Sequence, residues 1–132
     1  MAWRNDLNNF TKKWGEPMCT KSELDAITKE VVEAALKLSP NVYKVILYGS
    51  YARGDNTAES DIDIMIILDD TKQNTDACRE KFYEISSDIG LKHDVLVSVL
   101  FRNKDNFISL QGVKPFYRNI NKEGVLLYGQ SA

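Results

Sequence analysis

The 132-residue sequence holds few of the residues that build cross-linked or metal-thiolate folds: two cysteines, one histidine and three prolines. Cys19 and Cys78 stand far apart with no Cys-x-x-Cys spacing, so they read as ordinary reduced thiols. With His93 the lone imidazole, a zinc centre would lack ligands. No apolar run approaches the roughly 20 residues a membrane helix needs, and the amino terminus lacks a signal-peptide apolar stretch. The expected compartment is therefore the cytoplasm. Positive charge is not in excess either, since 17 Lys and Arg face 19 Asp and Glu for a net charge of −2. Such a chain has no basic field to hold nucleic acid, although a small nucleotide carried with its metal remains an acceptable ligand. Internal repeats and low-complexity tracts are absent.

What is present is the composition of one globular domain, 43% hydrophobic and 27% charged. Residues 1–20 carry Trp3, Phe10 and Trp14 among polar neighbours and read as an arm or short helix; residues 21–132 read as the domain itself. Ser22 followed by Asp25 has the form of a helix-capping signal, and Leu24, Ile27, Val31, Ala35 and Leu38 then recur at helical spacing. Val42 to Tyr48 is β-branched and aromatic, as a strand is. Asp61 to Leu68 begins as an alternating strand and becomes continuously apolar, the pattern of a central strand. A second helical stripe of Cys78, Phe82, Ile85 and Ile89 is expected to stop at Gly90, and a third strand to run from His93 to Phe101. Two short helices around 105–110 and 115–122 and an edge strand at 125–128 complete the reading. The order implies an α/β (α+β) fold, a small mixed sheet flanked by helices. The dozen residues between the first two strands barely suffice for a parallel crossover helix, which points to an antiparallel pair.

The informative stretch runs from Leu47 to Ile64. A strand ending in Gly49-Ser50 and turning into a helix presents backbone N–H groups and a hydroxyl, and Gly49 lets a triphosphate approach the main chain. Gly-Ser alone is also a common turn pair. Asp61 and Asp63 project from one face of their strand, roughly 6–7 Å apart, while Ile62 and Ile64 point the other way. Two acids side by side repel each other, so either a cation or open solvent must compensate. Asp94, placed at the opening of the third strand, would bring a third carboxylate beside them. Such oxygen ligands suit Mg²⁺ or Mn²⁺, which keep waters and bind phosphates in the remaining positions. The combined Gly-Ser and Asp-x-Asp pattern arises by chance in a chain of this size on the order of one time in a thousand. A P-loop is excluded, because Asp55-Asn56 stands where Lys-Ser/Thr is needed. An EF-hand starting at Asp70 fails for want of its glycine and terminal glutamate.

Gly49 to Gly54 and Ser60 to Asp63 resemble the signature of the nucleotidyltransferase superfamily that includes DNA polymerase beta, and within it the minimal single-domain group. The resemblance extends from about Ser22 to Tyr128. It implies a DNA polymerase beta-like nucleotidyltransferase fold and a metal-dependent transfer of a nucleoside monophosphate, AMP from ATP, to an acceptor hydroxyl. Gly49 and Ser50 would hold the triphosphate, with Arg53 either touching phosphate or pairing on the surface with Asp55 or Glu59. Asp61 and Asp63 would bind two divalent ions, Mg²⁺ or Mn²⁺, Asp94 would complete the site of the catalytic one, and all three would act in catalysis. Ser60 is expected to cap its turn, His93 to pack or face solvent, and Tyr48 and Tyr51 to serve as core or lid aromatics rather than base platforms. The partner the resemblance implies is a small helical protein of the HEPN type, with the chain acting as its antitoxin; a homodimer is the other way to complete the cleft. A noncatalytic nucleotide-binding module and an aminoglycoside nucleotidyltransferase are the rival readings.

Overall fold

The computed structural model describes residues 19–129, so all but the last two residues of the expected arm lie outside it. In chain order the elements are α1 (Lys21–Leu38), β1 (Val42–Tyr48), α2 (Ser50–Arg53), β2 (Ile62–Leu68), α3 (Lys72–His93), β3 (Val97–Asn103), α4 (Lys104–Gln111), α5 (Pro115–Glu123) and β4 (Val125–Tyr128). They build one four-stranded sheet in the order β3-β2-β1-β4. β1 runs antiparallel to β2, with Tyr48 opposite Asp63, and antiparallel to β4. β2 and β3 are parallel, joined by the α3 crossover, and pair Asp63 with Ser98. The sheet is mixed and flanked by helices.

Strand alternation sorts the side chains into two cores. On one face Val45, Leu47, Ile62, Ile64, Ile66, Leu68, Val97 and Phe101 meet the buried stripe of α1 (Leu24, Ile27, Val31, Ala35) and Phe82 and Ile89 of α3. On the other, Ile46, Met65 and Ile67 pack beneath Phe107 of α4 and Tyr117 and Ile120 of α5. Removing each such aliphatic side chain from water contributes roughly 1.5–3 kcal/mol. β2 is buried on both faces from Ile64 to Leu68, which explains why its sequence becomes continuously apolar after Asp63.

Three local expectations are corrected. The α1 cap is Thr20, not Ser22: its hydroxyl accepts from the Glu23 N–H at 3.1 Å while the Glu23 carboxylate accepts from the Thr20 N–H at 3.1 Å. α3 does not stop at Gly90 but continues to His93. Gly90 is there because a Cβ would sit 2.6 Å from the Val95 carbonyl oxygen, so its role is close chain approach rather than a left-handed cap. The left-handed residue is Asp94 itself (φ 54, ψ 48), whose N–H donates to the Gly90 and Leu91 carbonyls. As a result β3 begins at Val97, four residues later than the apolar run alone implies.

Candidate functional site

The site forms where β1 ends and β2 begins. Gly49 leaves β1 with φ 77 and ψ −157, a conformation that side-chain-bearing residues rarely adopt. The chain then makes the single turn α2, whose Ala52 and Arg53 N–H groups donate back to the Gly49 carbonyl. Gly54, also at positive φ, closes that turn by donating to the Ser50 carbonyl. A Cβ on Gly49 would lie 2.4 Å from Asp63 Oδ2. The glycine and the carboxylate therefore occupy one narrow space, and Gly49, Ser50 and Asp63 of the expected site are brought together.

Asp61 and Asp63 bracket Ile62, which is fully buried in the α1–α3 core, so Asp63 emerges on the opposite face in line with Met65 and Ile67. That face is covered by α4 and α5 further along the strand, while Asp61 and Asp63 are both part-exposed. The Asp63 carboxyl is pushed above its usual range, first by burial and then by the Asp61 charge, with Arg53 pulling it down. A part-buried acid held against a like charge is an arrangement that a hard divalent cation would relieve. Gly49 lies so close to Asp63 Oδ2 that any side chain there would push the carboxylate aside, so the glycine keeps Asp63 in place for such an ion.

Arg53 is half exposed and lies 3.2 Å from Asp55 Oδ2 and 3.9 Å from Glu123 Oε2. Of its two anticipated surface partners it takes Asp55, and it adds an acid of α5 instead of Glu59. Ser60 does cap its turn, its hydroxyl accepting from the Thr57 N–H at 2.8 Å. Tyr51 is a core residue, 3% exposed. Tyr48 is half-buried beside the acids, edge-on to Phe116 at 5.8 Å, and its phenol is pushed up to about 12 by burial and by Asp63. His93 reaches α1 instead of the site, its Nε2 lying 2.6 Å from Glu30 Oε2.

Asp94 is not at the opening of β3. It caps α3, lining with Asp61, Glu59 and Tyr83 a cleft of about 660 Å³ between that helix and the start of β2. Among the described residues no group of three His, Cys, Asp or Glu side chains is placed to hold one metal ion. The structure thus joins two of the three expected carboxylates electrostatically and sets the third on the cleft wall. The residue beside Asp63 on β3 is Ser98, on the same face as Leu100, a position that sequence reading missed because it placed β3 four residues early.

With this geometry in hand, comparison with known proteins is decisive. Residues 28–127 match the model of the nucleotidyltransferase domain family. The chain belongs to that family. Among curated relatives, a "Putative protein adenylyltransferase" of Methanocaldococcus jannaschii is 35% identical over 108 residues, covering 81% of this chain and 99% of its own. A second protein of that name and organism is 36% identical over 90 residues, covering 65% and 86%. Among solved structures, a nucleotidyltransferase from Sulfolobus solfataricus has a TM-score of 0.52 at 22% identity, covering 80% of this chain and 79% of that one. A toxin-antitoxin complex with AMP-PNP aligns with a TM-score of 0.53 at 21% identity, covering 78% and 73%. At these identities the two structures bear on the fold, which they share. This nucleotidyltransferase carries Gly49-Ser50 at the end of β1 and Asp61 and Asp63 at the start of β2.

Proposed function

We propose that this nucleotidyltransferase moves AMP from ATP to a hydroxyl on a protein partner, using Asp61 and Asp63 to hold a divalent cation against the triphosphate. The observation that carries the reading is the Gly49–Asp63 contact, which sets a side-chain-free turn directly over a part-buried carboxylate. Gly49 and Ser50 receive the triphosphate beside that contact, Gly49 by keeping a side chain out of the turn and Ser50 by donating from its hydroxyl. Arg53, already between two acids, steadies α2 and tempers the negative charge felt by Asp63. Mg²⁺ or Mn²⁺, when bound, lowers the pKa of the attacking hydroxyl and neutralises charge on the departing pyrophosphate. Asp61 and Asp63 orient the α-phosphate for in-line attack by fixing where that charge is compensated. Asp94, which lines the same cleft as Asp61, faces the acceptor in this reading and takes the hydroxyl proton.

A protein acceptor is supported by the names of the curated relatives and by the cleft's surroundings. Tyr83, Leu91 and Leu96 are 76%, 80% and 64% exposed, and all three line the cleft that holds Asp61. Apolar surface concentrated around a polar site suits a macromolecular acceptor better than a sugar. A small helical protein of the HEPN type, paired with this chain as toxin with antitoxin, is the partner we propose. No described helix is long and apolar enough to cross a membrane.

Incubation with labelled ATP, Mg²⁺ and co-expressed host proteins tests the reading. Label is expected on a protein band and is expected to vanish in Asp61→Asn with Asp63→Asn. Label on an aminoglycoside, or none on any acceptor from a chain that still binds ATP, would overturn it.

A further inference from the structure

The number of ions this site can hold is written in the residues around Asp63, and the following rests on the two-carboxylate reading above. In the sheet, Asp63 has one lateral neighbour on each side: Tyr48 on β1 and Ser98 on β3. Ser98 shares its face, because Val97, Val99 and Phe101 belong to the α1–α3 core while Leu100 belongs to the α4–α5 core with Met65 and Ile67. Neither neighbour is an acid. Asp94 is separated from Ser98 by three residues and is committed to the end of α3. Two divalent ions about 3.5–4 Å apart require a carboxylate bridging them and further anionic ligands on both sides. Two carboxylates and a hydroxyl meet the needs of one Mg²⁺, which retains waters and takes phosphate oxygens for its other positions.

We infer that this nucleotidyltransferase holds one divalent ion per chain, bound together with the triphosphate, and that Ser98 occupies the position where a second ion would demand a carboxylate. The Ser98 hydroxyl is neutral, so beside Asp63 it adds no charge that would recruit another cation. Ser98 is also part-exposed, on the edge strand β3.

Mn²⁺ titration followed by electron paramagnetic resonance, with saturating non-hydrolysable ATP analogue, reads the count directly and needs no turnover. The wild-type chain is expected to take one Mn²⁺, Ser98→Ala to keep that count, and Ser98→Asp to take two. Two tightly bound ions in the wild type would overturn the inference, and that measurement stands even if Ser98→Asp fails to fold. A folded Ser98→Asp chain that still takes one ion would also overturn it, as would an Asp94→Asn chain that loses the ion while Asp63→Asn keeps it. Retention of the wild-type ion by Asp61→Asn with Asp63→Asn would instead remove the two-carboxylate reading on which the inference depends.

Discussion

At the scale of single residues, Gly49 and Asp63 are one unit. Gly49→Ala puts a methyl within 2.4 Å of Asp63 Oδ2 and asks alanine to hold φ 77, so a loss of about 1–3 kcal/mol is expected in chemical unfolding. Adding Asp63→Ala should recover the part of that loss owed to the collision and leave the part owed to the backbone; an additive double variant would show the contact to be unimportant. Asp63 also carries a pH signature. Its carboxyl is raised by burial and by Asp61, so its contribution to stability is fully present below the ordinary aspartate pKa and is lost as pH rises through the raised folded-state value. In metal-free buffer Asp63→Asn should therefore melt higher than wild type at neutral pH and converge with it in acid. A variant that melts lower at neutral pH would contradict this. The residue types that matter here were legible because Asp-x-Asp on a strand and Gly-Ser at a strand end are costly without a ligand. Ser98 was not legible, because a serine in an apolar run carries no signal until its register is known.

At the scale of elements, helical periodicity and the apolar run of β2 identified α1, α3 and the central strand without ambiguity. The misreadings fell at ends, where a few hydrogen bonds decide. Thr20 and Ser22 both have hydroxyls two or more residues ahead of the stripe, and the reciprocal bonds to Glu23 select Thr20. Thr20→Ala is expected to cost about 1 kcal/mol in thermal or urea unfolding, against little change for the exposed Ser22→Ala. Equal effects would mean the cap bond contributes nothing. The end of α3 was misjudged for a related reason: glycine ordinarily signals a left-handed stop, but Gly90 stays helical to admit the Val95 carbonyl, and Asp94 takes the left-handed position. That single shift moves Asp94 off β3 and brings Ser98 beside Asp63.

At the scale of the whole molecule, the short β1–β2 link and the α3 crossover together dictate a mixed sheet, and the antiparallel turn between β1 and β2 is what folds Gly49 back over Asp63. One face of the sheet is completed by α4 and α5 over Ile46, Met65 and Ile67, and the acids at the start of β2 keep a part-exposed opening beside that cover. Binding to that opening must stabilise the native chain by an amount set by occupancy, about 2.7 kcal/mol at a ligand concentration 100 times Kd. The most direct test is the melting temperature of wild type and of Asp61→Asn with Asp63→Asn, each with and without Mg²⁺ and non-hydrolysable ATP analogue. A rise in the wild type that disappears in the doubly substituted chain is the expected result. An equal rise in both, or none in the wild type, would contradict the assignment of these two carboxylates to the ion and its nucleotide.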